Sequence, residues 1–531
     1  MSRTTDLAAR AVGAGAWTVG TRLLVKLIDF ALLLCLARFL GPAEFGVVAM
    51  AMAAVFIVEA LFELPVVAAL IRAPELTQPA LQTAFTLGLI RGLLIALVLL
   101  CLAWPMASFN DEPRLALLVA VLALAPALRG MVSPRMVEYA RSMNFRPDAA
   151  LELSGKAVAF ALSITIAVST GSYWAIAAAT VCTPLVSTAL SYWFAPMRPK
   201  LTLSEWPQFS SLVGWNFVTQ LFSALNWQID RLLLPRLTTA SGFGQYAMSK
   251  QISEIPVQAL MAPLHRPAMA AFASDTASLG RRYLQLSHAT ALVMVPVMGV
   301  PLLWPEVLLH LALGSEWVAA AEWLRWMSLV VLLGVPSMLL APLAMTLDRT
   351  RWVATRTFLE FATRLPAVAL GAAWFGIPGA IAGSAIATTA STLCSLLMVR
   401  SLGAITLRHQ VGAGAGPLMA WLPAAALLHV TLPVVDAAAN SLDMATRALL
   451  LLSLYALVYG VGAWLIWRIA GRPPGLERQV LDRAGALWRG MRLRAAPMGR
   501  SGPTTPADHP RKIYVNGRFL MSAGAPSGDR K

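Results

Sequence analysis

Three ionisable residues, Arg22, Lys26 and Asp29, interrupt the first apolar segment of the chain. Their spacing of four and three residues places them on one face of an α-helix. A charged side chain at the centre of a bilayer costs about 2.5–3.5 kcal/mol on insertion scales, so such residues normally face a bundle interior or a water-filled path. This face therefore indicates that a polar or ionic solute passes along it.

Polar residues form comparable stripes in other apolar segments. They recur every three or four residues, which is the period of one helix face. The later stripes are Asn216, Gln220, Ser223, Asn226 and Asp230; Lys250, Glu254 and Gln258; and Arg356, Glu360 and Arg364, while the earlier segments carry Glu59, Glu63, Arg91, Glu152 and Lys156. Both parts of the chain therefore contribute a hydrophilic wall.

The roles of individual charges stay open at this stage. Asp29 and Asp230 suit the binding of a proton or a sodium ion, and they equally suit neutralisation of the neighbouring Lys26 and Arg231. Pairs of opposite charge four residues apart also suit structural ion pairs that hold helices together: Glu152 with Lys156, and Lys250 with Glu254.

Composition identifies the class of protein that must position these stripes. Of 531 residues, 58% are hydrophobic and only 13% are charged, with a mean hydropathy of +0.67. These values exclude a soluble protein with an ordinary surface and indicate a polytopic membrane protein. The net charge of +16 comes from basic residues in short loops and in the C-terminal tail, which fits the positive-inside rule better than nucleic-acid binding.

Neither the cysteines nor the N-terminal segment suggests a class other than a polytopic membrane protein. The four cysteines lie within apolar runs without paired spacing, so we expect no disulfide framework and no metal site. Arg22 and Lys26 interrupt the first apolar run, and no small-residue cleavage pattern follows it, so we expect no cleavable signal peptide.

A membrane-spanning helix needs about 20 apolar residues, and the sequence offers fourteen such segments. They are 16–39, 46–70, 80–104, 115–133, 150–170, 173–195, 210–234, 244–270, 286–311, 318–346, 352–374, 377–400, 415–435 and 446–470. With a cytoplasmic N-terminus, the inside segments carry fifteen basic residues and the outside loops only Arg114, Arg236 and Arg447. This bias predicts that both termini are cytoplasmic. Twelve spans would give the same sidedness.

A faint internal repeat divides the chain. Phe45-Gly-Val-Val-Ala-Met50 aligns with Phe243-Gly-Gln-Tyr-Ala-Met248, and Ile28-Asp29 aligns with Ile229-Asp230 after a three-residue insertion. Equal sidedness of the copies predicts two parallel halves of six helices, with the substrate path between them. The predicted domains are therefore 1–198, 199–402, two further helices in 403–470, and a basic tail of 471–531 that holds an amphipathic helix and a disordered end.

Six motifs occur in a characteristic order along the chain. They are Leu36-Ala-Arg-Phe-Leu-Gly-Pro-Ala-Glu-Phe-Gly-Val-Val-Ala-Met50, Ser133-Pro-Arg, Arg141-Ser-Met-Asn-Phe-Arg146, Asn226-Trp-Gln-Ile-Asp-Arg-Leu-Leu-Leu-Pro, Gly244-Gln-Tyr-Ala and Ile255-Pro. These motifs resemble those of bacterial polysaccharide exporters of the Wzx type, in the multidrug/oligosaccharidyl-lipid/polysaccharide (MOP) flippase superfamily. The resemblance covers roughly residues 10–400. None of these motifs is a catalytic signature, so its specificity comes from their order and spacing.

The resemblance implies an all-α protein of the bacterial inner membrane. It implies a flippase that moves undecaprenyl-pyrophosphate-linked oligosaccharide units to the periplasmic leaflet, for lipopolysaccharide O-antigen, capsule or exopolysaccharide synthesis. It also implies alternating access coupled to an H⁺ or Na⁺ gradient, with no further cofactor. The implied partners are the lipid-linked substrate, membrane lipids, a polysaccharide polymerase and chain-length proteins.

Carried over to this sequence, the resemblance gives two sets of candidate residues. The candidates for substrate contact are Arg22, Lys26, Arg91, Asn216, Gln220, Asn226, Lys250, Arg356 and Arg364. The candidates for ion coupling are Asp29, Asp230, Glu59, Glu63, Glu254 and Glu360. Nearly equal numbers of acids and bases leave the net charge of the path open.

Three alternatives remain. A peptidoglycan-precursor flippase would share the fold and the cationic path. A multidrug cation exporter of the same superfamily would favour an acidic chamber, against which arginines argue. A membrane enzyme is expected to carry catalytic residues in a large outside loop, whereas the outside loops here are short. The sequence holds no GxxxxGK[ST] loop for direct use of ATP.

Overall fold

The protein is helical throughout the part that its structure, a computed structural model, describes. The described residues are 20–21, 24–64, 66–207, 214–274, 278–402, 405–436 and 440–471, and no strand occurs among them. The predicted all-α class is confirmed. Arg22 lies outside these residues, as does all of the predicted tail 471–531 except residue 471.

The helices follow the order of the predicted spans. Their bounds are α1 24–39, α2 Pro42–Leu61, α3 Val66–Arg72, α4 Gln78–Phe109, α5 Arg114–Leu122, α6 Leu124–Gly130, α7 Val137–Arg141, α8 Arg146–Thr170, α9 Trp174–Phe194, α10 Gly214–Leu237, α11 Ala240–Ala273, α12 Leu279–Leu303, α13 Pro305–Leu313, α14 Ala321–Gly334, α15 Leu340–Thr346, α16 Thr350–Arg400, α17 Leu407–Asp436 and α18 Ser441–Ile469. Short 3₁₀ turns lie at Pro134–Met136, Ser315–Ala320 and Val335–Ser337.

Many of these helices are long and apolar enough to cross a bilayer. Within the described ranges, nine pass that test, and a tenth does if Arg114–Gly130 and Pro134–Arg141, bent by 54°, form one span. The chain is thus a multi-pass membrane protein. The total of fourteen spans stays a prediction.

Glycine and proline set several helix boundaries. The chain reverses direction within α16 at Gly376, whose φ of 63° favours glycine. The sequence predicts a break at the same place, between the spans 352–374 and 377–400. The predicted span 286–311 is wrong in its bounds, because α12 begins at Leu279 and ends at Leu303. Pro305 then starts the separate helix α13, since proline suits the first turn of a helix.

Helices α2 and α11 touch backbone to backbone near their N-terminal ends, which the predicted topology places on the outer side. A Cβ atom on Gly46 would overlap the carbonyl oxygen of Ala240, and a Cβ atom on Gly244 would overlap that of Pro42. Gly46 and Gly244 are 198 residues apart, and so are Pro42 and Ala240, which is the offset of the sequence repeat. Such a reciprocal contact is what a two-fold relation between the repeated helices produces.

Further contacts near these helix ends join residues of the first half (1–198) to residues of the second half (199–402). The Trp317 indole is 1% exposed, donates a hydrogen bond to the Ala37 carbonyl at 2.7 Å, and packs edge-on against Phe45. Arg236 forms an ion pair with Asp111 in the loop after α4. We call these residues, with Gly46 and Gly244, the outer contact.

The loop that carries Asp111 is itself held by charges. Arg114 binds Glu112 at 2.8 Å and Glu44 at 2.9 Å, and Glu44 accepts a hydrogen bond from the Tyr173 amide. The hydrogen bond from Arg114 lowers the pKa of Glu112 below its ordinary value.

Helices α17 and α18 dock on α12 through polar side chains. Proline at 296 cannot donate to the carbonyl of Leu292, four residues earlier, and the Tyr459 hydroxyl donates to that carbonyl at 2.8 Å. Tyr455 donates to the Pro296 carbonyl at 2.8 Å. Inside a bilayer, freed carbonyls need such partners. The last two helices are therefore fastened to the second half.

Candidate functional site

Asp29 on α1, a candidate ion-coupling residue from the sequence, has an ion-pair partner on α8. Asp29 lies 2.5 Å from the Lys156 ammonium group, and the two side chains are 35% and 26% exposed. Lys156 therefore pairs across helices rather than with Glu152, four residues earlier on its own helix. Lys26 lies one turn before Asp29 and is exposed.

A second set of charges in the first half joins α2, α4 and α6. Glu59 forms an ion pair with Arg129, and the Arg91 Nε atom donates to the Phe62 carbonyl at 2.7 Å. Glu63 lies within electrostatic range of Arg91. Phe62 is the C-cap residue that follows α2. Arg91 therefore binds a carbonyl that has no hydrogen-bond partner within the helix. We call Glu59, Glu63, Arg91 and Arg129 the first-half cluster.

The second half holds its most buried charge on α10. Asp230 is 2% exposed, and its Oδ2 atom accepts hydrogen bonds from Tyr246 and, at 2.5 Å, from Lys250 on α11. The Oδ1 atom of Asp230 is buried without a hydrogen-bond partner, as is Oδ1 of Asn226 one helical turn earlier. Asp230 thus pairs with a lysine on another helix and not with its neighbour Arg231.

Helix α16 brings two arginines to one carboxylate beside this aspartate. Arg356 and Arg364 approach Glu360 at 3.6 Å and 3.3 Å, and the Arg364 Nη1 atom lies 3.3 Å from the Asn226 carbonyl. Arg364 also acts electrostatically on Asp230. We call Asp230, Lys250, Arg356, Glu360 and Arg364 the second-half cluster.

Some predicted site residues have no described side chain, and two residues that the sequence analysis did not mark belong to the site. Arg22 is outside the described residues, and for Asn216 and Gln220 only the helical backbone is described; Glu254 is half-buried on α11. Arg129 and Tyr246 were missed, although both lie in predicted spans. Arg129 sits near the end of the predicted span 115–133, where it resembles a loop charge, and a tyrosine does not stand out as polar in a hydropathy pattern.

The two clusters differ in charge balance. In the first-half cluster two carboxylates face two guanidinium groups. In the second-half cluster two carboxylates face one ammonium and two guanidinium groups, and Arg231 adds a further cation within electrostatic range of Tyr246. Ionised groups within apolar spans are tolerated only when paired or in contact with water. The clusters therefore place charged groups of both signs where a polar solute could contact them.

Comparison with known proteins finds relatives named for succinoglycan and for lipopolysaccharide biosynthesis. ExoT of Rhizobium meliloti (strain 1021), a succinoglycan biosynthesis transport protein, is 22% identical over 57% of this chain and 63% of its own length. WzxC of Escherichia coli (strain K12), a lipopolysaccharide biosynthesis protein, is 20% identical over 81% of this chain and 87% of its own. The chain thus spans somewhat less than two thirds of ExoT and most of WzxC.

The fold also matches a solved structure and a family model. The lipid II flippase MurJ, in an inward closed conformation, covers 85% of this chain and 99% of its own with a TM-score of 0.67 at 12% identity, which shows the fold that MOP-superfamily transporters share. A family model described as polysaccharide biosynthesis protein matches residues 35–322, more than half of the chain. The chain therefore belongs to the polysaccharide biosynthesis protein family.

Proposed function

We propose that this protein is a flippase for lipid-linked oligosaccharides. It moves undecaprenyl-pyrophosphate-linked repeat units from the cytoplasmic to the periplasmic leaflet of the bacterial inner membrane, for the synthesis of a surface polysaccharide. Both termini are cytoplasmic. It acts as a transporter and not as an enzyme, and hands its cargo to a polymerase and its chain-length proteins.

The observation that carries this proposal is the meeting of charged side chains from several helices at membrane depth, in a member of a polysaccharide biosynthesis family. Asp29 with Lys156 and Asp230 with Lys250 link separate helices. At about 1.5 Å per residue, Lys156, Asp230 and Lys250 lie about 10 Å or more from the nearest helix end, and Asp29 lies about 7 Å from the start of α1. A polar head group needs such a path because the bilayer core cannot solvate it. The names of ExoT and WzxC support the same cargo class.

We further propose that the two halves alternate in access. The outer contact joins them at the end that this topology assigns to the periplasm. Parting of the outer contact then accompanies release of the cargo. Proton or sodium binding at Asp230 or the glutamates of the clusters couples this change to an ion gradient.

Deletion of the gene tests the proposed function directly. We expect intact lipid-linked repeat units to accumulate on the cytoplasmic side while surface polysaccharide disappears, and a plasmid copy to restore export. Analysis of extracted lipid-linked sugars measures this. Unchanged surface polysaccharide in the deletion strain would refute the proposal.

A peptidoglycan-precursor flippase is the second candidate. The likeness to MurJ favours it only at the level of fold, because the identity is 12%. The same deletion strain separates the two functions, since accumulation of the peptidoglycan precursor would identify this second cargo. A multidrug cation exporter fits less well, because cations outnumber carboxylates in the second-half cluster.

A further inference from the structure

The first-half cluster lies on a face of α2 that also carries an exposed aromatic side chain. Phe56 and Glu59 are three residues apart, which places them on one face of the helix, and Glu63 follows just past its end. Phe56 is 43% exposed, Glu63 is exposed, and the Glu59 side chain is 19% exposed. An apolar ring and two carboxylates therefore lie close together on the accessible side of α2.

The charges of this cluster face water rather than the hydrocarbon of the bilayer. Glu59 lies inside the membrane-spanning segment Pro42–Arg72, and the Arg129 side chain is 48% exposed. Exposed ionised groups inside a span need contact with water. Helix α2 also packs on α10 and α11 of the second half, so it borders the boundary between the two halves. We therefore place the cluster on the path of the cargo.

Four charged side chains meet in this cluster. Glu59, Glu63 and Arg129 all lie within electrostatic range of Arg91. Arg129 forms its ion pair with the Oε1 atom of Glu59, and Arg91 uses its Nε atom to bind the Phe62 carbonyl. In the part of the chain that the structure describes, the terminal Nη atoms of Arg91 and the Oε2 atom of Glu59 have no hydrogen-bond partner. The cluster thus offers hydrogen-bond donors and acceptors side by side.

The balance of charge in the first-half cluster favours a neutral ligand. Two carboxylates and two guanidinium groups cancel, so the cluster has little net attraction for an anion. A hydroxyl group both donates and accepts hydrogen bonds, and neighbouring hydroxyls can bind a carboxylate and a guanidinium group together. The apolar face of a sugar ring can pack on an aromatic ring, and ligand sites commonly combine such a wall with a few polar groups.

We propose that Phe56, Glu59, Arg91 and Arg129 form a subsite for a sugar unit of the cargo, a proposal that rests on the proposed function. The Glu59 carboxylate and the terminal groups of Arg91 bind sugar hydroxyls, and the Phe56 ring packs against the sugar ring. Arg129 is a positioning residue that holds the Glu59 carboxylate in place. Coupling to an ion gradient is then left to the acidic residues of the second half.

Binding of two probes to the purified full-length protein in lipid nanodiscs tests this assignment. The first probe is the oligosaccharide released by mild acid from lipid-linked sugars of the deletion strain, and the second is inorganic pyrophosphate. Isothermal titration measures both. We expect Glu59→Gln combined with Arg129→Gln to weaken oligosaccharide binding about tenfold, because charged hydrogen-bonding groups are lost. This variant keeps the net charge, so binding of pyrophosphate should change less than about twofold.

Two matched controls separate the subsite from a general loss of structure. Glu306→Gln combined with Arg325→Gln also removes an ion pair without a change in net charge, but in the second half, and it should leave oligosaccharide binding unchanged. Phe56→Leu keeps an apolar side chain without the ring and should weaken oligosaccharide binding several-fold. Phe39→Leu, at an aromatic residue of α1 that is 48% exposed, should not weaken it. All variants should elute as monodisperse proteins.

The outcomes distinguish the subsite from the proposed function. Unchanged oligosaccharide binding in the variant of Glu59 and Arg129, or an equal loss in the variant of Glu306 and Arg325, would overturn the subsite. Parallel loss of pyrophosphate binding would also overturn it, since the cluster would then serve the anion. If the deletion strain accumulates lipid-linked sugars and the variant of Glu59 and Arg129 still binds the released oligosaccharide normally, the subsite fails and the proposed function stands.

Discussion

Asp230 shows how a single buried carboxylate organises the second half of the path. It accepts two donors on one oxygen, Tyr246 and Lys250, and it is nearly inaccessible. Removal of one partner of a buried ion pair leaves an uncompensated charge, which is usually more costly than loss of the pair as a whole.

We expect Asp230→Asn to lower the free energy of unfolding by about 3–5 kcal/mol, because Lys250 then stays buried without its counter-ion. Asp230→Asn combined with Lys250→Met should recover much of that loss. Thermal unfolding in detergent, followed by size-exclusion chromatography, measures both. Asp29→Asn is the matched control, and its effect should be smaller because Asp29 and Lys156 are each about one quarter to one third exposed. Equal losses at the two aspartates would contradict this account.

The sequence identifies the charged residues of the path better than it identifies their partners. Periodicity within apolar segments marks Asp29, Asp230 and Glu360 because a charge there has no other explanation. The partner of Asp29 lies 127 positions away on α8, and single-sequence periodicity cannot reveal contacts between distant helices. Arg129 was missed for a related reason, since only its contact with Glu59 distinguishes it from a loop arginine.

At the scale of helices, close backbone contacts and freed carbonyls determine how the elements pack. The repeat of Phe-Gly at 45–46 and 243–244 is visible in the sequence, but its purpose appears only in the contact of α2 with α11. The long helix α16 follows the predicted break because glycine at 376 permits a positive φ. The short helices α3, α13 and α15 could not be predicted, since a hydropathy window joins them to their neighbours.

Gly46→Ala should force α2 and α11 apart at the outer end, because the added Cβ would meet the backbone of Ala240. We expect fewer molecules with a closed outer end and reduced export at normal expression. Cross-linking yield of a cysteine pair at 111 and 236 measures the closed fraction. Gly460→Ala, a helical glycine with nothing within 4 Å of its Cβ position, is the control and should behave as wild type.

Tyr459→Phe should destabilise the docking of α18 on α12 by about 0.5–1.5 kcal/mol, the range of hydrogen bonds within membranes. The cause is loss of the donor to the Leu292 carbonyl, which proline at 296 leaves free. A double-mutant cycle with Pro296→Ala measures this coupling by thermal unfolding. The same cost with alanine at 296 would show that the hydroxyl does not serve the freed carbonyl.

For the whole molecule, the outer contact joins residues of the two halves through both charge and packing. Asp111 and Arg236 are about four fifths and one half exposed, so their ion pair is weak on its own and contributes at most about 1 kcal/mol. The larger part of the contact is the apolar cluster of α2, α11 and α16 that includes Val47, Phe243 and Ile381. Apolar packing therefore contributes most of the stability of this contact, and the exposed ion pair contributes little.

Covalent closure of the outer contact should stop transport. We expect a short bifunctional reagent to link cysteines at 111 and 236 and to abolish export, and cleavage of the linker to restore it. A pair within the second half, Glu306→Cys with Arg325→Cys, is the control and should not affect export when linked. Normal export in the linked 111–236 protein would show that the outer end does not open.

The outer contact should also be insensitive to mild acid. The pKa of Glu112 lies below its ordinary value because of Arg114, so the charge that holds this loop is lost only as the pH falls through that lowered pKa. We expect the distance between spin labels at 111 and 236, measured by electron paramagnetic resonance, to stay constant from about pH 5.5 to 7.5. A longer distance at the acid end of this window would place the titrating group elsewhere in the contact.

The reciprocal glycine contact bears on the symmetry between the two halves. A patch in which residue 42 meets 244 and residue 46 meets 240 is its own complement, so two copies of one half would fit each other as the two halves do here. A self-complementary contact of this kind is the one that a homodimer uses. The unequal charge of the two clusters, by contrast, is an asymmetry that a homodimer cannot acquire and that two parts of one chain can.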